Sequence, residues 1–160
     1  MNIFATYKCP TRSAIALDDK RVIKMVLESA QILSTAINKM GGEGPYKTTH
    51  MNHPCSIWAR LNKENYKWLL EHFEALCREY TWRYGKIHKC MGHLKRLSEG
   101  IRYMPSGAIT PFANCAANHN LGLDFKSISP AREAYRKYLV AKWKIDKREP
   151  KWTKREKPIW

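Results

Sequence analysis

No run of the sequence approaches the ~18 apolar residues a membrane span needs, and Met1 to Lys8 holds no charged stretch followed by an apolar one. A soluble, unprocessed chain with no membrane partner is expected. The five cysteines, Cys9, Cys55, Cys77, Cys90 and Cys115, are odd in number, scattered and free of Cys-x-x-Cys pairs. That spacing argues against a disulfide framework and fits a reducing cytoplasm. Carboxylates are scarce, 14 Asp and Glu against 29 Lys and Arg, so an acidic, cation-binding protein is excluded. There is no internal repeat, no low-complexity tract and no convincing strand pair, which leaves solenoids and β-sandwiches without support.

What remains is strongly basic. A formal charge of +15 and a pI near 9.8 require uncompensated cations on the folded surface, and their field attracts polyanions. Nucleic acid is the first partner class to consider, although binding to a ribosome or a membrane surface would also account for the excess charge. A length of 160 residues suits one domain spanning 1–160 that closes its core without a metal or disulfide staple.

The periodicity is helical. Asp18 and Asp19 precede a segment, Lys20 to Lys39, in which Val22, Val26, Ala30, Leu33 and Ile37 recur every three or four residues until Gly41 and Gly42 stop it. His53-Pro54 introduces a short helix, Cys55 to Leu61, and Asn62 caps the next. There Tyr66, Leu69, Leu70, Phe73, Leu76, Cys77, Tyr80 and Tyr84 make a continuous apolar stripe ending at Gly85. That is the expected central core helix. A weaker helix is expected from Ile87 to Leu97, an irregular packed connection from Arg102 to Ile128, and a last helix opened by Ser129-Pro130 with Tyr135, Tyr138, Leu139 and Trp143 on one face. Residues 146–160 form a basic tail containing Trp152 and Trp160, packed on the body or extending from it. The fold class is all-α: compact, with a long central helix, long irregular loops and this tail.

At ~100° per residue the first long helix sets Arg21, Lys24, Glu28, Gln31, Thr35 and Lys39 opposite its apolar stripe. Glu28 is the lone acid on a basic face. Two readings are open: an ordinary i,i+4 ion pair with Lys24, worth a few tenths of a kcal/mol, or a functional carboxylate set among cations.

Several ordered blocks carry a resemblance. Leu17-Asp18-Asp19-Lys20-Arg21 continuing through Leu27-Glu28-Ser29-Ala30-Gln31-Ile32-Leu33, then Asn52-His53-Pro54-Cys55-Ser56-Ile57-Trp58, Asn65-Tyr66-Lys67-Trp68-Leu69-Leu70 and Arg83-Tyr84-Gly85-Lys86 resemble the pyrimidine-dimer DNA glycosylases of phages and bacteria. Thr110-Pro111-Phe112-Ala113, Ala134-Tyr135-Arg136-Lys137-Tyr138, Trp143 and Pro150-Lys151-Trp152 are similar to blocks of the phage branch, which implies a virus-encoded protein working in a bacterial cytoplasm. The resemblance implies a free N-terminal α-amine as nucleophile and Glu28 as its partner, forming a Schiff base at C1′ and then eliminating the 3′ phosphate. An α-amine ordinarily titrates at ~7.7 to 8.0 against ~10.4 for lysine, so much more of it is neutral at physiological pH. Asn is too large a second residue for ready removal of the initiator, so Met1 is expected to supply the amine, with Asn2 the alternative. A frayed, uninvolved terminus is the bland reading.

Asn2 stands where the family's best-known member has an arginine, and is expected to touch DNA. Arg21 and Lys24 flank Glu28 as candidate phosphate contacts. His53 is expected to cap a helix or form the site's rim. In the tail, Lys147, Arg148, Lys151, Trp152, Lys154 and Arg155 interleave cations with a ring, a pattern suited to backbone neutralisation and stacking. His50, His53 and Cys55, and His88, Cys90 and His93, are spaced irregularly for zinc; no metal and no cofactor is expected. The partner is double-stranded DNA and the chain is expected to act as a monomer. Two rival functions stay open: a noncatalytic DNA-binding protein on the same fold, and a glycosylase for a modified base in phage DNA.

Overall fold

A computed structural model describes residues 1–160. Its order is α1 (Pro10–Ile15), α2 (Asp19–Lys39), α3 (Pro54–Arg60), α4 (Lys63–Tyr84), a 3-10 turn (Lys89–His93), α5 (Leu94–Glu99), a second 3-10 turn (Gly100–Tyr103), β1 (Ala117–Asn118), β2 (Leu123–Asp124) and α6 (Ala131–Ile145). The two strands form one short antiparallel pair around Gly122, at φ +65°. That pair is the departure from the all-helical expectation.

The central helix is α4. Asn62 Oδ1 accepts from the Asn65 amide at 2.9 Å to start it, and Gly85 ends it in the left-handed region at φ +65°. It packs against both α1 and α2, so it is buried over more of its circumference than one apolar stripe implies. Glu79 and Arg83 are therefore buried with the stripe. Burial of charge is costly unless each group is paired. Here Arg83 binds Glu79 at 2.8 Å, Asp19 at 2.9 Å and the Ile15 carbonyl at 3.0 Å.

α2 is covered on two sides. Its apolar residues face α3 and α4, but Arg21, Glu28 and Thr35, seven residues apart on the opposite side, are buried as well. A seven-residue step drifts only ~20° around a helix, so the three form one line. The line is roofed by chain from elsewhere: the Thr49 loop over Thr35, the first residues over Glu28, and Asp146 over Arg21.

Two sequence expectations need correction. The weak helix from Ile87 to Leu97 is a 3-10 turn followed by α5, and Ile87 is exposed. Ser129 caps nothing; Pro130 holds the cap position and α6 begins at Ala131. A short α1, with Pro10 in its first turn, leaves no trace in the periodicity, because six residues are too few to show one.

Candidate active site

The chain start is ordered by its own second residue. Asn2 Oδ1 accepts from the Ile3 amide at 2.8 Å and the Phe4 amide at 3.1 Å, while its Nδ2 donates to the Cys115 carbonyl at 3.2 Å. Phe4 takes φ +41°, a strained conformation for a bulky residue. It is held there because its ring packs edge-on to Tyr135 and stacked on Tyr138, with centroids 5.9 and 6.0 Å away. Ile3, Phe4 and Ala5 are all buried. Fraying would expose that apolar surface.

These bonds bring the chain start over α2. The Met1 nitrogen lies 3.8 Å from Glu28 Oε2, and the Asn2 amide donates to the same oxygen at 3.0 Å. Lys24 Nζ holds the other oxygen, Oε1, at 3.2 Å. The i,i+4 ion pair therefore exists, and it shares its carboxylate with the chain start. Around them opens a cavity of about 390 Å³ whose lining includes Met1, Lys20, Lys24, Glu28, His53 and Lys142, with Glu28 its only carboxylate. Larger clefts lie beside Trp152 and beside Phe112, but neither contains the chain start.

His53 belongs to both α3 and the cavity. As the cap of α3 its Nδ1 accepts from the Cys55 amide at 3.2 Å, and it also lines the cavity. Burial, then the positive Met1 terminus and His50, push its pKa below the ordinary histidine value, opposed by Glu28. A neutral ring accepting at Nδ1 carries its proton on Nε2, so Nε2 is its donor.

Other predicted contacts are placed differently. Arg21 is not a free cation on a solvated face: it binds Asp18 at 2.8 Å and Asp146 at 2.9 Å, and is buried. Asp18 also accepts from Trp143 Nε1 at 2.8 Å, which is why its side chain does not cap α2. The side chain of Asn2 makes its bonds inside the protein. The tail lies packed on the body. Trp143 stacks on Trp160 and meets Trp152 edge-on, Trp152 Nε1 donates to the Ala16 carbonyl, Lys154 to the Trp82 carbonyl, and Arg155 binds both oxygens of Glu79. Lys147, Arg148 and Lys151 remain exposed, the first two directly after Asp146.

Of the residues passed over in sequence, Lys20 was legible, four positions before Lys24 and eight before Glu28. Lys142, Cys115, Asn118 and Tyr138 reach the cavity from segments that no local pattern joins to α2. Neither proposed zinc grouping assembles. His50 Nδ1 bonds to Thr49, and Cys90 is a core residue in contact with the Tyr46 hydroxyl. Instead His53, Cys55 and Cys115 lie within 4.8 Å of one another.

A chain-start nitrogen beside a carboxylate, in a cation-lined cavity on a basic helical body, defines a class of site able to hold a phosphorylated sugar against a nucleophile. A family model described as pyrimidine dimer DNA glycosylase matches residues 1–91, and the chain belongs to that family. The protein is thus of the DNA glycosylase class, with DNA as its substrate. No curated protein and no solved structure matches the chain. The matched part carries Met1, Lys24, Glu28 and His53; Cys115, Lys142 and the tail lie beyond it. No helix is long and apolar enough to cross a membrane.

Proposed function

We propose that the protein excises pyrimidine dimers from double-stranded DNA and then cleaves the strand as an AP lyase, with the Met1 α-amine as nucleophile and Glu28 as acid and base. The observation that carries this reading is the 3.8 Å approach of the Met1 nitrogen to Glu28 Oε2 inside the cavity.

The neutral amine attacks C1′ of a nucleotide extruded from the stack, the glycosidic bond breaks, and the base leaves with the bonding pair. Loss of a proton from the new ammonium and opening of the sugar ring give an iminium between the chain and C1′. Glu28 accepts that proton and delivers one to the ring oxygen; later it removes a proton from C2′ as the 3′ phosphate departs. One Glu28 oxygen rests on Lys24 and the other faces the amine, so the carboxylate is oriented before substrate arrives. Lys20, Lys24 and Lys142 neutralise phosphates near the cavity, and Lys147, Arg148 and Lys151 extend the basic surface. His53 donates to the extruded nucleotide. Removal of Met1 would leave the Asn2 nitrogen at 3.0 Å from the same oxygen, so a processed chain keeps an amine within reach.

Incubation with ultraviolet-irradiated plasmid tests the reading. Nicks dependent on irradiation are expected, together with a borohydride-trapped covalent adduct that disappears when the N-terminus is blocked. Adduct that persists on the blocked protein would assign the nucleophile to a lysine and overturn it.

A further inference from the structure

The cavity wall holds two thiols that the proposed chemistry does not use. Cys55, buried in the first turn of α3, points its Sγ at Cys115 Sγ across 3.6 Å, although the two are 60 residues apart. Cys115 is half-buried and lines the cavity, so solvent-borne reagents reach it. The thiol of Cys115 is pulled down to about 7, chiefly by the hydrogen bond from Cys55, with the Cys55 backbone, the Tyr135 hydroxyl and the positive Met1 terminus adding to it; the Cys55 thiol is driven up by the same bond and by burial. The reachable sulfur is thus the more readily ionised of the two, and its buried neighbour keeps its proton longer. Reactive cysteines combine those two properties, low pKa and access.

Cys115 is also tied to the chain start, because its carbonyl accepts from Asn2 Nδ2 at 3.2 Å. A disulfide needs its sulfurs ~2.05 Å apart. Closing the pair therefore draws the sulfurs together by about 1.5 Å, at the residue whose carbonyl anchors Asn2.

We propose that Cys55 and Cys115 form a peroxide-responsive dithiol in the wall of the site, and that its closure to a disulfide loosens the Asn2 clamp that holds the chain start over Glu28. The Cys115 thiolate sulfur attacks one oxygen of hydrogen peroxide, the O–O bond breaks and hydroxide leaves, giving a sulfenic acid. The Cys55 sulfur then attacks the Cys115 sulfur; the S–S bond forms, the S–O bond breaks, and the departing hydroxide takes the Cys55 proton as water. Two thiols and one peroxide thus give a disulfide and two waters. A resident metal is a weaker reading of the same cluster, since His53 Nδ1 already accepts a backbone proton. The effect on catalysis rests on Met1 being the nucleophile; the disulfide and the loosened clamp do not.

The test treats the reduced full-length protein with hydrogen peroxide, alkylates residual thiols and maps peptides without reduction. A cross-linked peptide pair containing Cys55 and Cys115, lighter by two hydrogens, is expected, with Cys9, Cys77 and Cys90 alkylated. Amide exchange at Ile3 and Phe4 should quicken on oxidation, the borohydride-trapped adduct with an abasic-site duplex should fall severalfold, and dithiothreitol should restore both. Cys55→Ala should give no cross-link. Cross-linking through another cysteine, stable sulfinic acid at Cys115, or a co-purified metal protecting both thiols would overturn the proposal. Unchanged exchange in the cross-linked protein would overturn the coupling. Absence of adduct from the reduced protein would instead strike the lyase reading, leaving the cross-link and exchange results to judge the dithiol.

Discussion

The backbone amide of Asn2 donates to Glu28 Oε2 at 3.0 Å, so the chain start and the middle of α2 share one carboxylate. That bond holds the Met1 nitrogen in the cavity, and it joins two parts of the chain that local patterning cannot connect.

Glu28→Gln keeps the shape of the side chain and removes its charge. Loss of a positioned acid and base typically costs ~10² to 10⁴ in rate. Nicking of irradiated plasmid should drop by about that factor, while the thermal midpoint, read by circular dichroism, moves little. An unchanged nicking rate would return Glu28 to the role of an ordinary ion-pair partner.

Asn2→Ala removes the acceptor for the Ile3 and Phe4 amides, the second belonging to a residue held at φ +41°. Leaving a buried donor unsatisfied costs about 1–3 kcal/mol, and two lose their acceptor here, so a loss of about 2 kcal/mol or more in urea unfolding is expected. Adduct formation should slow although the amine is still present. Wild-type stability together with a wild-type adduct rate would show that Asn2 clamps nothing.

Arg21→Met fills the volume but leaves Asp18 buried without a cation, and should destabilise by about 3 kcal/mol; Asp146→Ala, which leaves Arg21 paired with Asp18, should cost less. Chemical denaturation of both variants checks the order. The reverse order would mean that Asp146, not Asp18, is the partner on which Arg21 depends.

His72 gives a pH signature. Its Nδ1 bonds to the Pro10 carbonyl at 3.0 Å, its Nε2 is buried without a partner, and burial pushes its pKa down to about 4. In the unfolded chain it titrates near ~6.5. Between these values the unfolded state binds more protons, so the stabilisation is full above pH ~6.5 and falls by about 3 kcal/mol as pH drops towards 4. His53 and His88 are shifted in the same direction, so the informative quantity is the difference between wild type and His72→Gln, whose stability should fall less steeply across the window. Parallel curves would place the acid sensitivity elsewhere.

The tail should divide into two groups. Lys147→Ala and Arg148→Ala should weaken DNA binding and lower the slope of log K against log salt by about 1 for each phosphate no longer neutralised, with unchanged melting. Arg155→Ala removes both bonds to Glu79 and should lower the melting temperature while leaving the slope unchanged. A slope change confined to Arg155→Ala would reverse this assignment.

Periodicity, caps and breakers made the long helices readable in advance: Asn62 and Gly85 bound α4, Gly41 and Gly42 follow α2, and the stripe from Val22 to Ile37 is buried together with Tyr66, Leu69, Phe73 and Leu76. The pairing of Met1 with Glu28 was legible only through likeness to a family, since nothing within a few residues of either points to the other. Arg21 shows the limit. As a cation opposite an apolar stripe it reads as solvated, whereas in the fold Asp146, arriving with α6, joins Asp18 in holding it as a buried ion pair.

The order of residues by itself determined which segments coil, where they stop and that the surface is positive, because those properties depend on neighbours three or four positions away and on composition. Which face of α2 is roofed, which cations stay free, and which nitrogen and which sulfur meet in the cavity were decided by the tertiary structure. Burial and Coulomb interaction depend on distance in space, and the groups concerned lie 26 to 125 residues apart along the chain.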